Sequence, residues 1–99
     1  MAAYVVANMG LQGLTGSMAK ELGQYQINVN CVCPGIVDTA RWDNSPRRKE
    51  WQQAEMAIPM RRAGTGDDVA SVIAFLCSDE GHWLSGQCIN IDGGQVTSH

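Results

Sequence analysis

Tyr4 and Asn8 stand four residues apart in a stretch whose apolar positions, Ala7, Leu11, Leu14, Met18 and Leu22, recur every three or four residues. That spacing predicts an α-helix over 4–22 with one apolar face. It puts the Tyr4 phenol and the Asn8 amide on one side of the helix, one turn apart. A phenol titrates near about 10, and it exchanges protons readily at neutrality when a neighbouring cation favours the phenolate. A lysine at position 8 would be that cation. Asn8 offers hydrogen bonds without charge, and Tyr25 is followed four residues later by Val29, so the sequence has no Tyr-x-x-x-Lys.

The other reactive side chains form weaker patterns. The four cysteines, Cys31, Cys33, Cys77 and Cys88, include no Cys-x-x-Cys pair. With His82 and His99 they lack metal-ligand spacing, so no metal is expected. Cys31 and Cys33 fall on one face of a strand within an apolar run and read as reduced, buried thiols, with no disulfide framework implied. Six of the seven basic residues, Arg41, Arg47, Arg48, Lys49, Arg61 and Arg62, lie between positions 41 and 62, opposed there by Asp43, Glu50 and Glu55. Two readings stay open: a solvated basic face, or a surface meeting an anionic substrate such as an acyl thioester on a phosphorylated carrier. Trp42, Trp51 and Trp83 are expected to pack, the first two with the option of lining a cleft.

The elements that must position these groups follow in order. Helix 4–22 is expected to stop at Gly23 as a C-terminal cap. Gly10, Gly13 and Ser17 make a second line on it, suited to close approach of another backbone. Strand 27–33 alternates up to Pro34-Gly35, and residues 36–39 leave its carboxyl end, where open α/β sheets bind ligands. Ser45-Pro46 reads as the start of a short helix with Trp51, Ala54, Glu55 and Ile58 on one side, ended by Pro59. Thr65 caps helix 66–77, with Asp67 and Asp68 in its first turn and Val69, Val72, Ile73 and Leu76 as its buried stripe. Ser85-Gly86 opens strand 86–91, and Asp92-Gly93-Gly94 closes it. Two strands joined through helices make a right-handed, parallel βαβ unit, and a parallel sheet of two strands is an incomplete α/β sheet.

With 99 residues, 44% of them hydrophobic, the chain has room for one small domain. No apolar run approaches the roughly 18 residues of a membrane span, and no signal-like segment opens the chain. A net charge of −3 argues against general nucleic-acid binding. The expectation is a soluble, cytoplasmic protein with neither membrane nor nucleic acid as partner.

From Tyr4 to Gly94 the sequence resembles the C-terminal part of the short-chain dehydrogenase/reductase family. The Tyr4–Asn8 helix lies where the family carries Tyr-x-x-x-Lys, and Val29-Asn30-Cys31-Val32-Cys33-Pro34-Gly35 is similar to its "VNxVxPG". Val37-Asp38-Thr39 follows, then Arg62-x-Gly64 leading into Asp67-Asp68-Val69-Ala70, and finally Ser85-Gly86-Gln87 through Ile91-Asp92-Gly93-Gly94, like "TGQ…DGG". The resemblance implies a partial Rossmann-type α/β fold: a leading helix plus a parallel βαβ unit, the C-terminal portion of a doubly wound sheet. It implies hydride transfer between NAD or NADP and an alcohol or ketone.

Carried over by position, Tyr4 matches the acid/base and Asn8 the lysine, which also hydrogen-bonds the nicotinamide ribose. Pro34 and Gly35 match the turn beside the nicotinamide, Val37 a main-chain contact to its carboxamide, and Thr39 a hydroxyl near the carboxamide and phosphates. Residues 40–60 match the mobile substrate lid. The family's glycine-rich turn, its NAD/NADP-selecting residue and its catalytic serine have no counterpart among these 99 residues. Little or no activity and doubtful cofactor binding are therefore expected of this chain alone. The alternative is a non-catalytic association module, a homo-oligomer or a partner of a full-length homologue. The family's subunit interfaces use the leading helix and the last helix and strand, and the edge at 27–33 invites pairing.

Overall fold

Ala2–Leu22 form α1, and the computed structural model describes residues 2–38 and 48–96. The further elements are β1 (Cys31–Pro34), α2 (Arg48–Met56), α3 (Gly66–Leu76) and β2 (Cys88–Ile91), with 3₁₀ turns at Gly23–Tyr25 and Asp79–Gly81. β1 and β2 pair in a two-stranded sheet. The Cys31 N–H donates to Gln87 O at 2.8 Å and the Gly35 N–H to Ile91 O at 3.0 Å. Partners advance by four residues on both strands in the same sense, so the pairing is parallel. This is the α/β arrangement that the element order implies. No helix of the described residues is long and apolar enough to cross a membrane.

The chain divides into two units, Met1–Val32 with Ala74–Ile89, and Cys33–Ile73 with Asn90–His99. In the first, α1 covers a different side from the one its periodicity suggests. Thr15 is buried, and Gln12, Gly16, Ala19 and Leu22 are half-buried around it, while Leu11, Leu14 and Met18 are exposed. The Thr15 hydroxyl donates to Leu11 O at 2.7 Å, which satisfies it within the helix. A Cβ built on Gly10 or Gly13 meets nothing within 4 Å. The close backbone approach expected there is not made by the described residues.

α1 also ends differently. Instead of a glycine cap at Gly23, a 3₁₀ turn follows and the chain reverses at Gln26, in the left-handed region at φ 61°. The N–H groups of Gln26 and Ile27 return to Gly23 O and Leu22 O, so the last carbonyls are satisfied without Gly23 leaving the helical range.

The ladder starts at Cys31, four residues later than the expected start of strand 27–33: one backbone bond, from the Gly86 N–H to Val29 O (2.7 Å), precedes it, and side chains take the other backbone groups of the facing segment. Asn28 Nδ2 donates to His82 O (2.8 Å) and Asn30 Nδ2 to Leu84 O (2.9 Å). Asn30 Oδ1 accepts the Gln87 N–H (3.1 Å), and the Val29 N–H donates to Ser85 Oγ (3.0 Å). The same seam delays the second strand, expected over 86–91, to Cys88. Trp83, expected to pack, is 93% exposed.

In the second unit, α2 turns Trp51, Ala54 and Glu55 partly inward, and Ile58 just beyond it is 1% exposed. A Cβ on Gly93 (φ 66°) would stand 2.9 Å from Ile58 Cγ2, so glycine is required twice over, for conformation and for space. α3 opens on a reciprocal cap: Thr65 Oγ1 accepts the Asp68 N–H (3.2 Å) and Asp68 Oδ2 accepts the Thr65 N–H (2.8 Å). Its stripe is only partly covered. Val69, Val72 and Leu76 are half-buried and Ile73 is exposed.

Candidate active site

Tyr4 and Asn8 lie on consecutive turns of α1, both exposed, Tyr4 by 64%. Neither side chain has a hydrogen-bond partner among the described residues. The cation of α1 is Lys20, sixteen residues beyond Tyr4, or about 24 Å along a helix rising 1.5 Å per residue. The helix therefore presents a phenol and an amide together, with no positive charge of its own near them.

In the second unit, Pro34 ends β1 and Gly35 crosses close to Asp92. A Cβ on Gly35 would stand 2.6 Å from Asp92 Cβ and 3.0 Å from Asp92 Cα. Beyond it, Val37 forms an isolated parallel bridge with Gly64. The bonds of that bridge belong to its neighbours: the Gly64 N–H donates to Ile36 O (2.9 Å) and the Asp38 N–H to Gly64 O (2.8 Å). In extended backbone the N–H and C=O groups of successive residues point to opposite sides. The N–H and C=O of Val37 consequently face away from Gly64, and neither has a partner among the described residues. One donor and one acceptor, side by side, are complementary to a primary amide. Thr39, Arg41, Trp42, Arg47, the Ser45-Pro46 helix start and the first part of the 40–60 lid lie outside the described residues.

The same unit holds a cavity of about 240 Å³ lined by Ile36, Met60, Arg62, Asp68, Ile91 and Asp92. Its charged groups are already engaged. Arg62 Nη1 donates to Asp68 Oδ2 (2.7 Å) and to Ala63 O (3.0 Å), and the two Asp92 oxygens accept the Gly94 and Val96 N–H groups at 3.0 Å each. The hydrogen bond from Arg62, followed by the Thr65 N–H, holds the Asp68 carboxyl down at about 2, and Asp68 in turn raises the Arg62 guanidinium. Arg61 is likewise bonded to Met56 O. Of the basic segment, the described arginine side chains fasten this loop to itself. The sequence marked Arg62 and Asp68 as parts of two neighbouring motifs but did not pair them. Their six-residue separation around the Thr65 cap was the available signal.

Residues 1–96 match the family described as Enoyl-(Acyl carrier protein) reductase. Together with the fold, this places the chain in the short-chain dehydrogenase/reductase family, to which it belongs. It is 41% identical over 93 residues to the 3-oxoacyl-[acyl-carrier-protein] reductase FabG of Thermotoga maritima, a match spanning 94% of this chain and 37% of that protein. A short chain dehydrogenase family protein from Francisella tularensis superposes with a TM-score of 0.82 at 33% identity, over 94% of this chain and 43% of that one. YwfH, an NADPH dependent reductase involved in bacilysin biosynthesis, does so with a TM-score of 0.82 at 33% identity, over 93% and 39%. The chain thus spans 37–43% of the length of these relatives.

Proposed function

We propose that this chain supplies the acid/base helix, the amide-binding turn and the lid of an NAD(P)-dependent oxidoreductase acting on an alcohol/ketone pair, and that alone it turns over little or no substrate. The observation that carries the reading is Val37. Its unpartnered N–H and C=O match the carbonyl and amino group of a nicotinamide carboxamide. When bound, the dinucleotide supplies the hydride. Tyr4 gives a proton to the carbonyl oxygen in reduction and takes it back in oxidation. By the family pattern Pro34 and Gly35 would form the turn beside the nicotinamide, and Thr39 would contribute a hydroxyl to the cofactor. Asn8 can hold a ribose hydroxyl but does nothing to favour the phenolate, which is one reason for low activity. The other is extent: about three-fifths of a relative's length is not in this chain.

The ketone class favoured is a 3-oxoacyl thioester, by likeness to the Thermotoga maritima protein. Four cysteines without a disulfide support a cytoplasmic setting. The test is a chimera in which residues 2–96 replace the matching segment of that relative, assayed for NADPH-dependent reduction of a 3-oxoacyl thioester. Asn8→Lys in the chimera is expected to raise kcat by about 10²–10⁴, the usual range for positioned acid/base catalysis, with KM little changed. Equal rates with and without the Asn8→Lys substitution would overturn the reading, as would tight stoichiometric NADPH binding by the isolated chain.

The exposed apolar residues of α1, with Val6 70% and Met9 65% exposed, favour a second reading: a non-catalytic module that dimerises or pairs with a full-length relative. A discrete dimer in sedimentation, without cofactor binding, is its signature.

A further inference from the structure

We propose that Cys31 and Cys88 form a redox-active dithiol that closes into a disulfide across the sheet when the protein meets a small-molecule disulfide such as oxidised glutathione. The inference is independent of the dehydrogenase reading. It starts from register. In a parallel ladder, a residue whose N–H bonds to the carbonyl of residue j−1 lies directly opposite residue j. The Cys31 N–H bonds to Gln87 O, so Cys31 lies opposite Cys88, with both side chains on one face of the sheet. Neighbouring strands lie about 4.7–4.9 Å apart, inside the Cα separation of about 4.4–6.8 Å that a disulfide accepts. The Cys31 thiol is near enough to the Cys88 thiol to help raise it, after burial.

The same register puts Cys33 opposite Asn90, since the Gly35 N–H bonds to Ile91 O and so faces Asp92. Cys77 sits just past the end of α3, exposed. Two of the four thiols are therefore matched, and the other two have no thiol across the ladder from them.

Access sets the order of events. Cys31 is buried and Cys88 half-buried, so Cys88 meets the reagent first. The Cys88 thiolate attacks one sulfur of oxidised glutathione, the glutathione S–S bond breaks, and one glutathione thiolate leaves and takes up a proton. The Cys31 thiolate then attacks the Cys88 sulfur, the mixed disulfide breaks, and the second glutathione leaves as its thiol. Two protein thiols are oxidised and one glutathione disulfide is reduced, a two-electron exchange in which both thiol protons end on glutathione. Burial and the adjacent Cys31 thiol push the Cys88 thiol up, so closure is expected to quicken as pH rises.

The test is to treat the folded chain with oxidised glutathione, block remaining thiols with N-ethylmaleimide, and map the peptides by mass spectrometry. The expected product joins Cys31 to Cys88, is lighter by two hydrogens, is reversed by dithiothreitol, and shows a raised denaturation midpoint. The Cys33→Ser/Cys77→Ser double variant should give the same bridge. Fragment-ion sequencing of the wild-type product settles the pairing if that variant does not fold. A Cys31–Cys33 bridge, glutathione on Cys77 with no bridge, or bridging seen only in denaturant would each overturn the proposal.

Discussion

Around the Val37 turn the charged side chains answer one another at short range. Asp68 serves Thr65 and Arg62, and Arg61 reaches Met56, all within six residues along the chain. The first unit is held otherwise. Asn28, Val29 and Asn30 bond to residues 81–87, more than fifty positions away, and α1 leaves Val5, Val6, Met9, Leu11 and Leu14 exposed. One unit closes on itself around a buried isoleucine. The other carries a helix whose apolar side the described residues do not cover. Val37 is informative because its neighbours Ile36 and Asp38 both bond to Gly64 while its own N–H and C=O face the other way, without a partner among the described residues.

Substitutions can test whether the contrast is real. The largest effect is expected for Ile58→Ala, about 2–5 kcal/mol by denaturant melt, since Ile58 is the large side chain fully buried among the described residues. A loss below about 1 kcal/mol would mean the second unit is not packed as described. Next comes Gly35→Ala, which forces a methyl onto Asp92 and should cost about 1–3 kcal/mol. A smaller effect follows from acid. Asp68 titrates at about 2 when folded against 3.8 ordinarily, so its contribution is complete above about pH 4 and is lost as pH falls through about 2. Asp68→Asn should remove that segment of the pH–stability profile, read by circular dichroism. Smallest is Val6→Ser, expected to change the stability of the monomer by no more than about 0.5 kcal/mol. A larger loss would show that α1's apolar side is covered after all, and a shift in sedimentation would show by what.

What could be read from the sequence divides along the same line. The Thr65–Asp68 cap and the one-sided α2 with Ile58 depend on neighbours a few residues away, and their residue types announce them, whereas Gly35 and Gly93 read as turn residues but are crowded by Asp92 and Ile58, far from them in the chain. The late start of β1 does not, because the groups that claim Asn28 and Asn30 arrive some fifty residues later. Gln26 took the left-handed position expected of Gly23 once a 3₁₀ turn satisfied the helix end. The family motifs pointed to Val37 as a cofactor contact, but the reason its amide is unspent is the bridge of its neighbours to Gly64, a pairing no local pattern encodes. α1's periodicity marked Ala7, Leu11, Leu14, Met18 and Leu22 as the face to be buried, and the described residues cover instead the side around Thr15.

The seam between residues 28–30 and 81–87 has a consequence for how the chain acquires its shape. Its bonds span 53–57 positions, so none can form during synthesis until residues 81–87 have left the ribosome. Closing so long a loop is slow. α1 can coil early, but β1 must wait for a strand made more than fifty residues later. A ribosome stalled before that strand emerges would hold α1 formed and β1 without its partner β2, an unpaired edge exposed to chaperones and proteases.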